Sequence, residues 1–116
     1  MINLEQLYKI QFKLDKFIVN NMFNVPDEVD HNDEGFLSDR ILALFTEVGE
    51  FANTTRCFKY WSVKGMDSRE KMLNEYVDIL HFYLSIGNTM RFTALEVETA
   101  YMKKNKINYD RQRNGY

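Results

Sequence analysis

The chain has 116 residues, 45% of them hydrophobic and 15% aromatic, with five glycines, one proline and a formal net charge of −2. That is enough chain for one buried core and too apolar a composition for a disordered segment. The lone cysteine, Cys57, excludes an internal disulfide and a cysteine-built zinc site, and no apolar run nears the ~20 residues of a membrane span. Met1 is followed by an acidic amphipathic segment rather than a leader pattern, so the expectation is a soluble, intracellular protein.

Leu4, Leu7, Ile10, Leu14, Phe17 and Ile18 recur at helical spacing and predict an amphipathic helix over about 3–22. The next segment, "NVPDEVDHNDEG", is polar, holds the only proline and reads as a loop. From about Phe36 a stripe of Leu37, Ile41, Leu44, Phe45, Val48 and Phe51 predicts a second helix reaching Thr55 or Phe58. "SVKGMDS" breaks it, and Asp67 or Ser68 is placed to cap a third helix carrying "YVDILHFYLSIG".

Apolar residues from Met72 to Ile86 cover most of that third helix, leaving a narrow polar sector of Asn74, Asp78, His81, Ser85 and Asn88. A helix apolar nearly all round is predicted to be buried, either centrally or across a subunit contact. Thr93 with Glu96 three residues on is a capping box that opens a fourth helix, and "INYDRQRNGY" reads as an irregular basic tail. Residues 101–116 carry Lys103, Lys104, Lys106, Arg111 and Arg113 against Asp110, so the tail holds +4 and the remainder −6. Such a tail could grip nucleic acid, or neutralise the phosphates of a small ligand bound beside body carboxylates. The expected architecture is one all-α domain over 1–116, four-helix and bundle-like.

Glu47 and Glu50 lie three apart on the second helix, and Glu75 and Asp78 three apart on the third. Each pair points one way off its helix. Paired acids are common on solvated faces, but these border apolar stripes, where carboxylates must protonate or find cations. If the two helices pack antiparallel, the pairs form a cage of four. Four like charges within ~5 Å repel by several kcal/mol even at an effective dielectric of ~20, and a divalent ion removes that cost. All-oxygen ligation suits Mg²⁺ or Mn²⁺, and Mg²⁺ is usually shared with substrate phosphates. A di-iron site is the competing reading, since Asp78 and His81 are also three apart. It would need Glu-x-x-His, which this chain lacks, so His81 reads instead as a histidine satisfied at a packed interface.

After the first acid pair come Arg56, Lys59, Trp61 and Lys64, with Phe58 and Tyr60 between. Cations suit phosphate oxygens and an indole offers a wall for a nucleobase, although an aromatic cluster at a helix end can equally be core.

"EVGEFANTTRCFKYWSVKG", followed by "NEYVDILHFYLSIGN" and "AYMKKNKINYDRQRNGY", resembles the dimeric dUTPases of bacteria and their phages, within the all-α pyrophosphatase group that includes MazG-like enzymes. "IQFKLDKFI" is similar to that branch's first motif. The E-x-x-E and E-x-x-D pattern is shared by the whole group and specifies only Mg²⁺ and a triphosphate; the F-K-Y-W string and the tail are narrower. The resemblance implies that Glu47, Glu50, Glu75 and Asp78 hold magnesium, and that Glu50 also orients or deprotonates the attacking water. It implies phosphate contacts from Lys104, Asn108, Arg111 and Tyr116, assisted by Lys59 and Lys64. Gln11, Trp61 and Asn88 would shape the uracil and deoxyribose pocket. The implied protein is a cytoplasmic homodimer, of a bacterium or a phage-infected cell, that hydrolyses dUTP to dUMP and pyrophosphate. One departure is the link from "SIGN" through "TMRF" into the last helix, shorter than the family's. The alternatives are a MazG-like pyrophosphatase of other nucleotides and a non-catalytic helical interaction module; nucleic acid is a weaker partner, because the body is acidic.

Overall fold

A computed structural model of the chain describes residues 1–23 and 30–115. Among them the fold is all-α: α1 (Leu4–Phe23), a 3-10 turn (Glu34–Phe36), α2 (Leu37–Thr55), α3 (Arg69–Thr89) and α4 (Ala94–Arg113). The part of the expected loop over 24–29 lies outside the described residues.

Side chains set most of the helix starts. At α1 the Gln6 N–H donates to Asn3 Oδ1 and the Asn3 N–H to Gln6 Oε1, both at 2.9 Å, a reciprocal cap unmarked in the sequence reading. Of the two candidates before α3, Ser68 is the cap, accepting from the Lys71 N–H. Asp67 instead donates its N–H to the Thr54 carbonyl and pairs with Lys71, which ties the end of α2 to the start of α3. The Thr93 and Glu96 capping box forms as expected. α2 stops at Arg56, a non-glycine residue in the left-handed region (φ 58°) whose N–H donates to the Ala52 carbonyl.

The tail is a correction. Helix α4 continues through "INYDRQR" to Arg113 instead of loosening. Basic residues in a last turn complement the negative end of the helix dipole, and Arg113 adds an ion pair to Asp110 at 3.6 Å while lying over the Tyr109 ring. Arg and Gln have good helix propensity and nothing in "INYDRQR" is a glycine or proline breaker, so charge alone gave no reason for irregular structure.

The most extensive packing joins α2 to α3; α1 lies across α3, and α4 rests on α1. The apolar core of the single chain is small: among the described hydrophobic residues, only Tyr8, Val19 and Leu84 are buried. Tyr8 reaches its place because Gly87 has no side chain; a Cβ there would stand 2.7 Å from Tyr8 Cε1 and 2.8 Å from its hydroxyl oxygen. Burial, with Tyr83 close by, pushes the Tyr8 phenol up to about 12.

Helix α3 is turned the opposite way from a simple apolar-in reading. Its buried residues are Leu84, Ser85, Gly87 and Thr89, whereas Leu73, Tyr76 and Tyr83 are exposed. Within one chain Ser85 of the narrow polar sector is buried and Asp78 and Asn88 are half-buried, while Asn74 and His81 stay exposed, and much of the apolar circumference also faces out. Helix α4 buries no residue at all, and the Cα radius of gyration is 17.7 Å, against ~13 Å for a compact chain of this length. Among the described residues no helix is long and apolar enough to cross a membrane.

Candidate functional site

The antiparallel seam of α2 and α3 brings the two acid pairs together. One carboxylate oxygen from each of Glu47, Glu75 and Asp78 lies within 4.8 Å of the others, all three half-buried. Glu50, one turn further along α2, is more exposed yet close enough to raise the affinity of both Glu47 and Glu75 for protons. The local sequence explains the geometry, because a three-residue spacing on each helix places both acids of a pair on one face, and the apolar stripes beside them close the seam.

The electrostatics of this cluster are unmet. Burial is the first cause that lifts Glu47 above the ordinary carboxylate range, followed by the Glu50 charge. Glu75 is lifted by burial, then by Glu50 and Asp78, with only Lys71 acting the other way. The Oε2 atoms of Glu47 and Glu75 are both buried without a hydrogen-bond partner. Buried acceptors normally have partners, and two orphans in one acidic cluster are what a cation would complete. The donor set is carboxylate oxygen throughout, which fits a hard divalent cation.

Further along α2 and into the following loop, the cationic and aromatic residues divide into two roles. Arg56, grouped with phosphate-binding cations by its sequence position, is used by the loop itself: its Nη2 donates to Ser62 Oγ at 2.9 Å and its Nε to the Lys64 carbonyl at 3.3 Å. Trp61 is exposed, with Phe58 and Tyr60 set edge-on at 6.1 and 5.1 Å between centroids, so this cluster is a surface wall and not core within the single chain. Lys59 lies over the Phe58 ring, and Lys64 is exposed.

The other named residues are distributed more widely. Lys104, Asn108 and Arg111 share one exposed stripe of α4, at spacings of four and three, on a helix whose main packing is on α1. Tyr116 lies outside the described residues. Asn88 donates to the Tyr8 carbonyl at 3.0 Å and its own carbonyl accepts from Asn32 Nδ2 at 2.8 Å, so its backbone and amide stitch α3 to α1 and to the loop before α2. It stands ten residues, or ~15 Å along the helix, from Asp78. Gln11 is buried and accepts at Oε1 from His81 Nδ1 at 2.6 Å, one turn past Asp78. His81 is thus bonded at Nδ1 by a side chain of α1, although the residue is exposed and not enclosed in a packed interface within the single chain.

Sequence reasoning missed the buried polar belt that continues from this point. Asp15 accepts from Gln11 Nε2 at 3.0 Å and from Ser85 Oγ at 2.7 Å. Arg40 donates to Thr89 Oγ1 at 2.6 Å and to the His31 carbonyl. The available signal was the spacing of Gln11 and Asp15 at i and i+4 opposite the polar sector of the third helix.

The family described as dUTPase matches this chain over residues 3–96 and 83–116. Among curated proteins, the dCTP pyrophosphatase of Enterobacteria phage T4 is 29% identical over 96 residues, covering 69% of this chain and 56% of that protein. The chain thus spans little more than half the length of that relative. No solved structure matches it.

Proposed function

Since this chain belongs to the dUTPase family, we propose that it is a metal-dependent pyrophosphohydrolase that cleaves dUTP to dUMP and pyrophosphate. The observation that carries the reading is the α2–α3 carboxylate cluster with its two orphaned buried oxygens. Glu47, Glu75 and Asp78, joined by Glu50, would hold Mg²⁺, with Mn²⁺ as the alternative. Bound there, such a cation would polarise the α-phosphate and acidify a water molecule. Glu50 is the most exposed of the four acids and takes the proton of the attacking water. Trp61 supplies a flat face for the base, and Gln11 and Asn88 border the nucleoside. Lys104, Asn108, Arg111 and Tyr116 contact the phosphates, assisted by Lys59 and Lys64, and the lysines and arginine among them offset the charge that grows on the leaving pyrophosphate.

Two copies would assemble through the apolar sides left bare in one chain. The exposed Leu73, Tyr76 and Tyr83 of α3 and the exposed Leu95, Tyr101 and Met102 of α4 favour this, because clustered exposed apolar side chains are what an interface between copies would cover.

A second reading has its own support: the phage relative is named for dCTP, so the base accepted by this chain could be cytosine. Pyrophosphate release from a panel of deoxynucleoside triphosphates, with and without Mg²⁺, tests both. Turnover of dUTP well above the others supports the first reading, and preference for dCTP the second. A lack of turnover, with no thermal stabilisation by Mg²⁺ plus a nonhydrolysable nucleotide, would leave the non-catalytic interaction module.

A further inference from the structure

One turn past the carboxylate cluster, the polar sector of α3 enters a closed hydrogen-bond chain with α1. Gln11 is 5% exposed, Asp15 9% and Ser85 1%, so these groups interact with one another and not with bulk water. The directions of the bonds are fixed from one end. Asp15 accepts at both carboxyl oxygens, Oδ2 from Ser85 Oγ and Oδ1 from the Gln11 Nε2 amide nitrogen. The Gln11 carbonyl oxygen is then turned to His81, and the hydrogen shared between them must sit on His81 Nδ1. In the neutral ring the lone pair is left on Nε2; His81 as a residue is exposed and lies three positions past Asp78, on the same face of α3.

Resting on the nucleotide-hydrolase reading of the neighbouring carboxylates, we propose that Asp15, held by Ser85, is a positioning residue that sets the hydrogen-bond polarity of the nucleoside subsite. It locks the Gln11 amide one way round, with Oε1 committed to His81 Nδ1–H, so that His81 Nε2 presents an acceptor to a donor on the nucleoside. An Asn at position 15 would remove this lock, because its side chain both donates and accepts and lets the Gln11 amide sit either way round. A subsite of fixed polarity rejects a mismatched edge by leaving a buried polar group unpaired.

The test uses the full chain with Asp15→Asn, a change of almost no volume. In the wild type, ¹⁵N spectra of the imidazole should show His81 protonated at Nδ1 when neutral, and Asp15→Asn should shift it toward a mixture of both forms. With dUTP and dCTP as substrates, KM of the preferred nucleotide should rise about tenfold, which is ~1.4 kcal/mol, while kcat stays within threefold and the preference between the two narrows. In a His81→Ala background the same change should raise KM less than twofold, since the lock then has nothing to hold. Ser85→Ala should act in the same direction with smaller size, and serves if Asp15→Asn melts early. A folded Asp15→Asn protein with unchanged His81 tautomer, KM and base preference would overturn the proposal. A wild-type chain that hydrolyses no nucleotide would overturn the reading of the carboxylate site, and this one with it.

Discussion

Two polar patches lie on one helix, and they are in opposite states. Toward the start of α3, Glu75 and Asp78 face α2 in a cluster whose charges repel and whose buried oxygens lack partners. Toward its end, Ser85, Asn88 and Thr89 face α1, α2 and the preceding loop with their side chains bonded to Asp15, the Tyr8 carbonyl and Arg40. The second patch holds the helices in register by itself. The first is poor structure alone, with like charges together and two buried acceptors left unpaired.

Several changes would break or sharpen this contrast. The largest effect is expected from Glu50→Gln, which should lower kcat by two to four orders of magnitude, about 3–5 kcal/mol of barrier, with little change in substrate affinity; steady-state kinetics with a titration of nucleotide binding would check it. At the satisfied end, Arg40→Ala strips partners from Thr89 and the buried His31 carbonyl and should cost about 2–4 kcal/mol in urea unfolding. Gly87→Ala forces the Tyr8 ring to move and should cost about 1–3 kcal/mol by the same measurement.

The unsatisfied end predicts the reverse sign. Glu47→Gln removes a like charge and should raise the melting temperature of the metal-free protein while weakening its response to Mg²⁺. The smallest effect is in pH. Glu47 and Glu75 hold protons more tightly folded than unfolded, so between the ordinary value of 4.5 and their raised values the folded state binds more protons. The stability of the metal-free protein should therefore fall as pH rises through that window, and saturating Mg²⁺ should flatten the slope. Thermal melts from pH 4 to 8 with and without the ion would show it.

Much of this arrangement was legible in the sequence because it depends on period. Three-residue spacings put Glu47 with Glu50 and Glu75 with Asp78, and the stripe of Leu44, Val48 and Phe51 fixed which face of α2 they border. The Thr93 and Glu96 cap was equally local. What periodicity could not give was direction. It showed a nearly all-apolar third helix but not that His81 and Ser85 of its thin polar sector would be turned toward α1, because that depends on Gln11 and Asp15 some seventy positions away in the chain. The same limit applies to Arg56: a cation beside aromatic residues suggests a phosphate, and only the folded loop shows it tied to Ser62 and Lys64. The tail was hidden for another reason, since its basic composition says nothing of its helix propensity, which carries α4 to Arg113.

The stop at Arg56 also works as a ruler. Because α2 ends one and a half turns beyond Glu50 and the guanidinium pins the chain that follows, the indole of Trp61 is held in fixed phase with the carboxylates. Adding a single residue between Glu50 and Arg56 would rotate everything downstream by ~100° and advance it by ~1.5 Å, swinging the aromatic wall out of line, whereas adding four would nearly restore the angle. In this short interval length should be guarded more strictly than identity.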